Sequence, residues 1–482
     1  MKSVQERLAA LSPEQRALFE QTLMQQSRTL EEKRREEAIP RRGHREHSRL
    51  SYDQERMWQL HQREPLLPTF NVYGAIRLTG RLDAVAMEQA IGAIVSRHEA
   101  WRTVFQEREG CVVQVVLGSF ELKMGLTDLR SVPKREREAV AQKEIEAEVK
   151  RPFDLVKGPL LRVRLIRLND EEHRLVLTVH HLVTDRVSFS IAFAELSTHY
   201  RALVTGGQAQ LIEPPLQYAD YAEWQRGYLT GAVLERSMEY WRGKLAGAEC
   251  ALHLPTDFPR RRTPPREGAR VFFDLPSQQL ERLRALGKRE GATDFMVLLA
   301  VYKALLHRLS GQADIIVGTP IANRSRQEMQ GVIGYFMTSA VLRTSVPSEI
   351  SFRELLARVR KTSLEAFAHQ ELPFRLLAEA FDLPRDPSRN ALFQAMFVYV
   401  EQDEAPLELP GLSIQYDLLD AGTVKYDLTI GLVEREWGLE CFLEYSPDLF
   451  LPETVQRMAD GWLHLVEQVA EHPEGKIGAF KL

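Results

Sequence analysis

The amino-acid sequence predicts an α+β fold built as two lobes of similar type, on three grounds. The chain has 482 residues, too many for one ordinary hydrophobic core, so two lobes of roughly 200 residues each are expected. Apolar residues make up 44% and charged residues 27%, globular proportions with apolar mass enough to enclose an internal tunnel. Stretches alternating with period two are interleaved with amphipathic stretches of helical period, and the mixture starts again after Pro214.

Taken in order, residues 1 to about 37 carry Leu8, Leu11, Leu18 and Leu23 at helical spacing, with Ser12-Pro13-Glu14 as a helix start. Arg41, Arg42 and Arg45 around the break at Pro40 read as a solvated linker. Residues 1–48 are therefore a helical docking or linker segment, or else a tail. Tyr73 to Leu78 alternates as a strand, and Asp83 to Arg97 is an amphipathic helix with Val85, Met87, Ala90, Ile91 and Ile94 inward. Strands follow at Cys111–Leu117, Leu161–Leu168 and Arg174–His180, then a helix at Ser188–Leu203. Residues 49–214 make the N-terminal lobe. In residues 215–470, the second lobe, helices are expected around Tyr218–Leu229, Val233–Leu245, Ser277–Glu290 and Asp294–Leu309, and strands at Ala269–Leu275, Asp314–Gly318 and Ile333–Arg343. The segment Asp257 to Glu267 holds Arg260, Arg261, Arg262 and Arg266 among three prolines and reads as a solvated connecting loop or a phosphate contact. No short-period repeat is present, which excludes solenoids and propellers.

Composition narrows the function. A formal charge of -4 gives no global attraction to nucleic acid. Cys111, Cys250 and Cys441 are far apart, with no neighbour at a metal-ligand interval, so neither a zinc site nor a disulfide framework is expected, and a reducing cytoplasm fits. The N-terminus lacks an apolar signal core, and the longest apolar run, Phe295 to Tyr302, is too short to span a bilayer.

The chemistry concentrates at His180-His181-Leu182-Val183-Thr184-Asp185. Period two along the preceding strand puts Leu175, Leu177, Val179 and His181 on one face and Val176, Thr178 and His180 on the other, so the histidines differ in role. One can face a substrate channel while the other is held inside the lobe, with Asp185 fixing the turn before the helix at Ser188. An imidazole at a strand end beside a helix N-terminus suits proton transfer from an attacking amine or hydroxyl. As a bare pattern this more often marks a satisfied structural pair or a metal fragment, although zinc needs further ligands and none sits nearby at zinc spacing.

The surroundings of the motif resemble, in order and along nearly the whole chain, the condensation domains of nonribosomal peptide synthetases. The matching segments are Leu50-Ser51-Tyr52-Asp53-Gln54-Glu55-Arg56-Met57-Trp58, Arg97-His98-Glu99-Ala100-Trp101-Arg102, the histidine motif itself, and Tyr218 to Arg226. Further on come Gly318-Thr319-Pro320-Ile321-Ala322-Asn323-Arg324, Ile333-Gly334-Tyr335-Phe336 leading to Arg343, His369 to Phe374, and Arg385 to Gln394. The resemblance implies two chloramphenicol-acetyltransferase-like lobes in a V-shaped pseudodimer with a central tunnel, entered from both faces by phosphopantetheine arms of carrier proteins. It implies amide formation between a donor acyl thioester and the amine of an acceptor aminoacyl thioester. His181 would be the catalytic residue, as base or as a group that orients the amine. His180 and Asp185 would be structural, with Arg343 as the ion-pair partner of Asp185. No intrinsic cofactor or metal is expected. The partners would be an upstream donor carrier, a downstream acceptor carrier and an adjacent adenylation domain, whose linker would begin in residues 471–482, around a monomer without nucleic acid or membrane.

Two departures stand out. Thr338-Ser339 replaces the family's asparagine-threonine pair in a strand that lines the tunnel, and Arg186 stands where the family has glycine. Three outcomes are open for Arg186: recognition of an anionic or carbonyl-rich substrate, a gate on the acceptor side, or a turn away to pair with Glu195 or Asp220. His180 argues against a heterocyclisation domain and the opening segment against an epimerisation domain. Gly43-His44-Arg45-Glu46-His47 is too short and basic for the dual epimerising type, leaving an ordinary domain for an L-configured donor, with an acyl-loading starter next. The rivals are a non-catalytic recruitment module of the same fold and a free-standing acyltransferase forming an ester or using a coenzyme A thioester.

Overall fold

The computed structural model describes residues 38–43, 46–118, 121–261, 267–381, 386, 388–401, 407–417 and 422–482. The expected helices before residue 38 lie outside these residues, as do His44, Arg45, Arg262, Arg266, Arg385 and Pro387.

The N-terminal half runs β1 (Ser48–Arg49), α1 (Tyr52–Arg63), β2 (Asn71–Thr79), α2 (Ala84–Arg97), β3 (Thr103–Arg108), β4 (Cys111–Val116), β5 (Gly125–Asp128), α3 (Lys134–Lys150), β6 (Leu161–Arg167), β7 (Glu172–His180), α4 (Arg186–Thr205) and α5 (Tyr218–Tyr228). Local chemistry fixes the ends. Ser51 and Gln54 close a capping box on α1, Asp83 accepts from two amides at the start of α2, and Gly206 ends α4 with φ 72°. The second half continues with α6 (Gly231–Leu245), β8 (Ala269–Pro276), α7 (Ser277–Glu290), α8 (Asp294–Ser310), β9 (Asp314–Ile321), β10 (Thr338–Ser345), α9 (Phe352–Ala368), α10 (Phe374–Ala380), β11 (Ala395–Val400), β12 (Ser413–Asp417), β13 (Leu428–Arg435), β14 (Gly438–Tyr445) and α11 (Pro452–Glu471).

Three sheets result. A small one has the order β1-β4-β3, a five-stranded one β12-β2-β7-β6-β5, and a six-stranded one β10-β9-β11-β13-β14-β8. The period-two reading of β7 holds in packing. Leu175, Leu177 and Val179 enter the main N-terminal core with α2 and α4, while Val176 joins Ala75 and Ile166 in a separate cluster under Ala141, Ile145 and Val149 of α3. The second core wraps α8, whose face from Met296 to His307 is buried almost throughout, between the six-stranded sheet and α9 and α11.

Several expectations are corrected. Val85 is exposed; the inward positions of α2 are Ala86, Met87, Ala90, Ile91, Ile94 and Val95. The strand expected over Ile333–Arg343 begins only at Thr338. The boundary at 214/215 is not where packing divides the chain. Tyr218, Tyr221 and Ala222 of α5, together with Met329, Val332, Ile333, Phe336, Leu407 and Leu409, belong to the N-terminal core. β12, from the second half, pairs antiparallel with β2, from Ser413 opposite Thr79 to Asp417 opposite Ala75. Among the described residues no helix is long and apolar enough to cross a membrane.

Candidate active site

β7 lies between β2 and β6, ends at His180, and passes through a single 3-10 turn, His181–Val183, into α4. The strand thus stops one residue before the position extrapolated for His181, and the turn sets the two imidazoles apart. His180 is 1% exposed and boxed by the rings of His61, Phe153 and Phe70, with centroids 5.1, 6.0 and 6.2 Å away. Its Nδ1 accepts the Leu182 amide at 3.2 Å, so the ring pins the turn. Burial, reinforced by His61 and His181, drives its pKa well below the usual histidine value, and the ring is neutral.

His181 is 8% exposed and lies edge-on to Tyr335, with centroids 4.8 Å apart. Its Nδ1 is 2.7 Å from the Thr184 carbonyl oxygen. A carbonyl only accepts, so Nδ1 carries the proton and Nε2 keeps a lone pair. Burial first and the charge of Lys425 second lower the pKa to about 4, against the opposing pull of the Thr184 carbonyl and Asp185. At neutral pH the ring is an uncharged acceptor fixed in one tautomer.

Asp185 anchors the turn from below. Its Oδ1 accepts the Ser188 amide at 2.8 Å as the N-cap of α4, with Ser188 Oγ also at 2.8 Å, and its Oδ2 accepts the Phe336 amide at 3.1 Å. The ion-pair partner is Arg324, whose Nη2 is 3.1 and 3.2 Å from the two carboxylate oxygens, both side chains 2% exposed. Arg324 Nη1 also donates to the Met329 and Val332 carbonyls at 2.6 Å each, and its guanidinium lies 4.2 Å from the Phe336 ring centroid. This corrects the assignment of Arg343. In the β9–β10 register Ser345 faces Asp314, which makes Arg343 the diagonal neighbour of Asp314 on the same face. Arg343 pairs there at 2.8 Å and donates to the carbonyls of Lys244 and Ala246 at the end of α6.

The partners foreseen for Arg186 are also occupied elsewhere. Glu195 holds Arg97 and His98, each at 3.0 Å, and Asp220 holds Arg42 at 3.1 Å. Arg186 opens α4 and its Nη2 donates to the Glu401 carbonyl at 3.4 Å, reaching from the N-terminal half to the segment after β11. Thr338 is buried; its Oγ accepts the Phe374 amide at 3.3 Å and bonds Asp53 of α1. Ser339 is partly exposed and bonds the Tyr426 hydroxyl. His98 is fully buried on Glu195, and His369 stacks on Tyr240 at 3.7 Å, both away from the turn.

Other segments brace the centre. Tyr218 donates its hydroxyl to the Tyr335 carbonyl at 2.6 Å, with Ser51 Oγ at 2.9 Å, and so connects the opening segment and α5 to the residue beside His181. Sequence reasoning missed three residues here. Arg324 stands six residues after Gly318, at the end of one of the matching segments. Asp53 is buried, and burial raises its pKa against the pull of Thr338 and Arg56. Lys425, three residues before β13, acts on both histidines from the other half of the chain. Among the described residues no group of three acids, histidines or cysteines could hold a metal ion.

Residues 44–482 match the family model described as "Condensation domain". A linear gramicidin synthase polypeptide of Brevibacillus parabrevis is 42% identical over 442 residues, 91% of this chain and 6% of that protein. Phosphinothricin tripeptide synthetase PhsC of Streptomyces viridochromogenes is 39% identical over 481 residues, 99% of this chain and 44% of that protein. The chain therefore spans less than half of either relative. Among solved structures, the X-domain from teicoplanin biosynthesis matches with a TM-score of 0.81 at 29% identity, covering 92% of this chain and 100% of that one. The first condensation domain of the calcium-dependent antibiotic synthetase shares the fold at a TM-score of 0.76 and 21% identity, covering 90% of this chain and 100% of that one.

Proposed function

The chain belongs to the condensation-domain family, and from that premise we propose that it forms an amide bond between a donor acyl thioester and the amine of an acceptor aminoacyl thioester, each delivered on a phosphopantetheine arm by a carrier protein. One observation carries the proposal: His181 donates through Nδ1 to the Thr184 carbonyl at 2.7 Å, which leaves Nε2 as a neutral hydrogen-bond acceptor. The incoming amine donates to Nε2 and attacks the thioester carbon. As the C–N bond forms, the carbonyl π pair moves onto oxygen, and the nitrogen, now carrying positive charge, loses its proton to Nε2. Collapse of the oxyanion breaks the C–S bond, and the proton returns from His181 to the departing sulfur. A ring with a pKa of about 4 is a weak resting base. It acts by orienting the amine and by taking a proton that has become acidic only in the intermediate.

His180, Asp185 and Arg324 hold this geometry without touching substrate. We assign Arg186 as a gate on the acceptor side, supported by its reach across to Glu401. The donor is an L-configured acyl group, the upstream and downstream carriers and an adjacent adenylation domain are the partners, and the domain works as a monomer in the cytoplasm, a compartment that suits its three free cysteines.

A second reading, recruitment without condensation, is favoured by the 29% identity to the teicoplanin X-domain, which has also been solved in complex with OxyB. Loaded donor and acceptor carriers, with product followed on the acceptor by intact mass, decide between the two. Transfer by the unmodified protein and its loss in His181→Ala is the expected result. No transfer with cognate carriers would support recruitment, and unchanged transfer in His181→Ala would refute the catalytic assignment.

A further inference from the structure

Beside a ring that packs on His180, the second half of the chain presents a lysine in an unusual setting. Lys425 is exposed to water, yet enough protein surrounds it that desolvation lowers its pKa. Its ammonium is 5.5 Å from the centroid of Phe70, the ring that packs against His180.

The charges nearby that could neutralise it are already engaged. Asp427, two residues on, is gripped by both terminal nitrogens of Arg260. Glu444 is held by Arg270 at 2.7 Å, and Asp185 by Arg324 at 3.1 Å. Among the described residues the Lys425 ammonium makes no hydrogen bond or ion pair. The backbone beneath it is nonetheless fixed, since its carbonyl accepts from Asn390 Nδ2 at 2.8 Å and the next residue, Tyr426, stacks on Phe393 at 5.2 Å. Among the described residues this is a held cation whose neighbouring acids are engaged, coupled to both histidines of the turn, and such a cation awaits negative charge from a ligand.

We propose that Lys425 is a charge-stabilising residue of the acyl-transfer centre, supplied by the second half of the chain, whose ammonium faces the oxyanion that develops on the thioester carbonyl as the amine adds. This rests on the condensing function proposed above. The same charge disfavours imidazolium at His181, so the lysine also keeps the ring in its accepting form. The titratable and charged groups around the pair are His61, His180 and Arg162 behind the turn, Asp185 with Arg324 below it, Tyr335 beside His181, and Tyr426 and Glu444 with Arg270 around Lys425. The sign follows. Removing the positive charge raises the His181 pKa, and the acidic limb of the rate profile moves to higher pH.

The experiment compares the unmodified protein with Lys425→Met and Lys425→Arg, using loaded donor and acceptor carriers between pH 4 and 9 and NMR titration of His181 from pH 3 upward in protein labelled at histidine. In Lys425→Met, kcat falls by about 100- to 1000-fold with KM for the acceptor carrier within about twofold, the range for loss of one oxyanion contact. The His181 titration moves up by about one pH unit, as expected for a unit charge on the order of 10 Å away. Lys425→Arg restores most of the rate. A Lys425→Met protein with unaltered kcat and an unaltered His181 titration would overturn the proposal, as would equal impairment of both variants through KM alone. If the unmodified protein transfers nothing, the condensing function fails, and the NMR arm still judges Lys425, because an unchanged His181 titration overturns its coupling to the site.

Discussion

Replacing Arg324 by methionine tests the frame under His181 directly. The guanidinium makes five bonds in a site where both members of the pair are 2% exposed: two to Asp185, one to Ser188 Oγ at 3.2 Å, and two to the Met329 and Val332 carbonyls. Methionine fills a similar volume but leaves the Asp185 carboxylate buried without its cation and two carbonyls without donors. Breaking a buried pair from one side costs about 3–5 kcal/mol. In a lobe of about 200 residues that lowers the melting temperature by roughly 6–20 °C. Because Phe336 donates its amide to Asp185 and Tyr335 packs on His181, the segment that shapes the centre loosens as well, and kcat falls with the stability. Arg343→Met is the control. That pair is about a quarter exposed, so its loss costs less than that of the fully buried pair, and its position leaves Asp185 untouched. Differential scanning fluorimetry and single-turnover condensation on Arg324→Met, Arg343→Met, Asp185→Asn and the two double variants measure the couplings. A coupling of Asp185 with Arg343 equal to that with Arg324, or an Arg324→Met protein within about 1 kcal/mol of the unmodified one, would refute the assignment.

Two further outcomes follow from single side chains. Lys303 is fully buried in α8, donates to the Ile315 and Leu342 carbonyls at 3.1 and 2.6 Å, and has its pKa brought down by burial to about 7. Between pH 7 and the ordinary lysine value the unfolded chain binds the proton that the folded one has shed, so stability rises with pH; from pH 7 to 9 the unmodified protein should gain about 2 kcal/mol over Lys303→Met in urea titrations, and parallel curves would count against a titrating lysine. Arg186→Gly removes the contact to Glu401 and should widen the range of acceptors accepted at an undiminished rate with the preferred one; an unchanged acceptor range in competition assays would eliminate the gate.

What the sequence disclosed depended on distance along the chain. β7, α4, α7 and α8 were legible because burial repeats at the local period, and the capping chemistry sits within four residues of each end. α3 was not, since Lys134–Lys150 is charged around most of its circumference and buries only Ala141, Ile145, Glu148 and Val149. The histidines, Asp185 and the strand parity could be read from adjacent residues. Choosing between Arg324 and Arg343 required the β9–β10 register, which sets Arg343 diagonal to Asp314, while Arg324 reaches Asp185 from the loop beyond β9. Lys425 gave no local signal at all. Its meaning comes from three separate acids, each already bound to an arginine, a fact of tertiary structure alone.

The five residues of β12 carry a consequence for anyone who would recombine such domains. They close the edge of the sheet that holds the histidine strand, although they lie more than 200 residues after it. A chimera joined near residue 214 would take β2 and β7 from one parent and their covering strand from another, mating two surfaces that never evolved together. If the first half were expressed alone, β2 would be left as a bare edge, an invitation to intermolecular pairing. A workable exchange carries residues 407–417 along with the first half, so that the two grafted pieces are discontinuous in the gene and whole in the sheet.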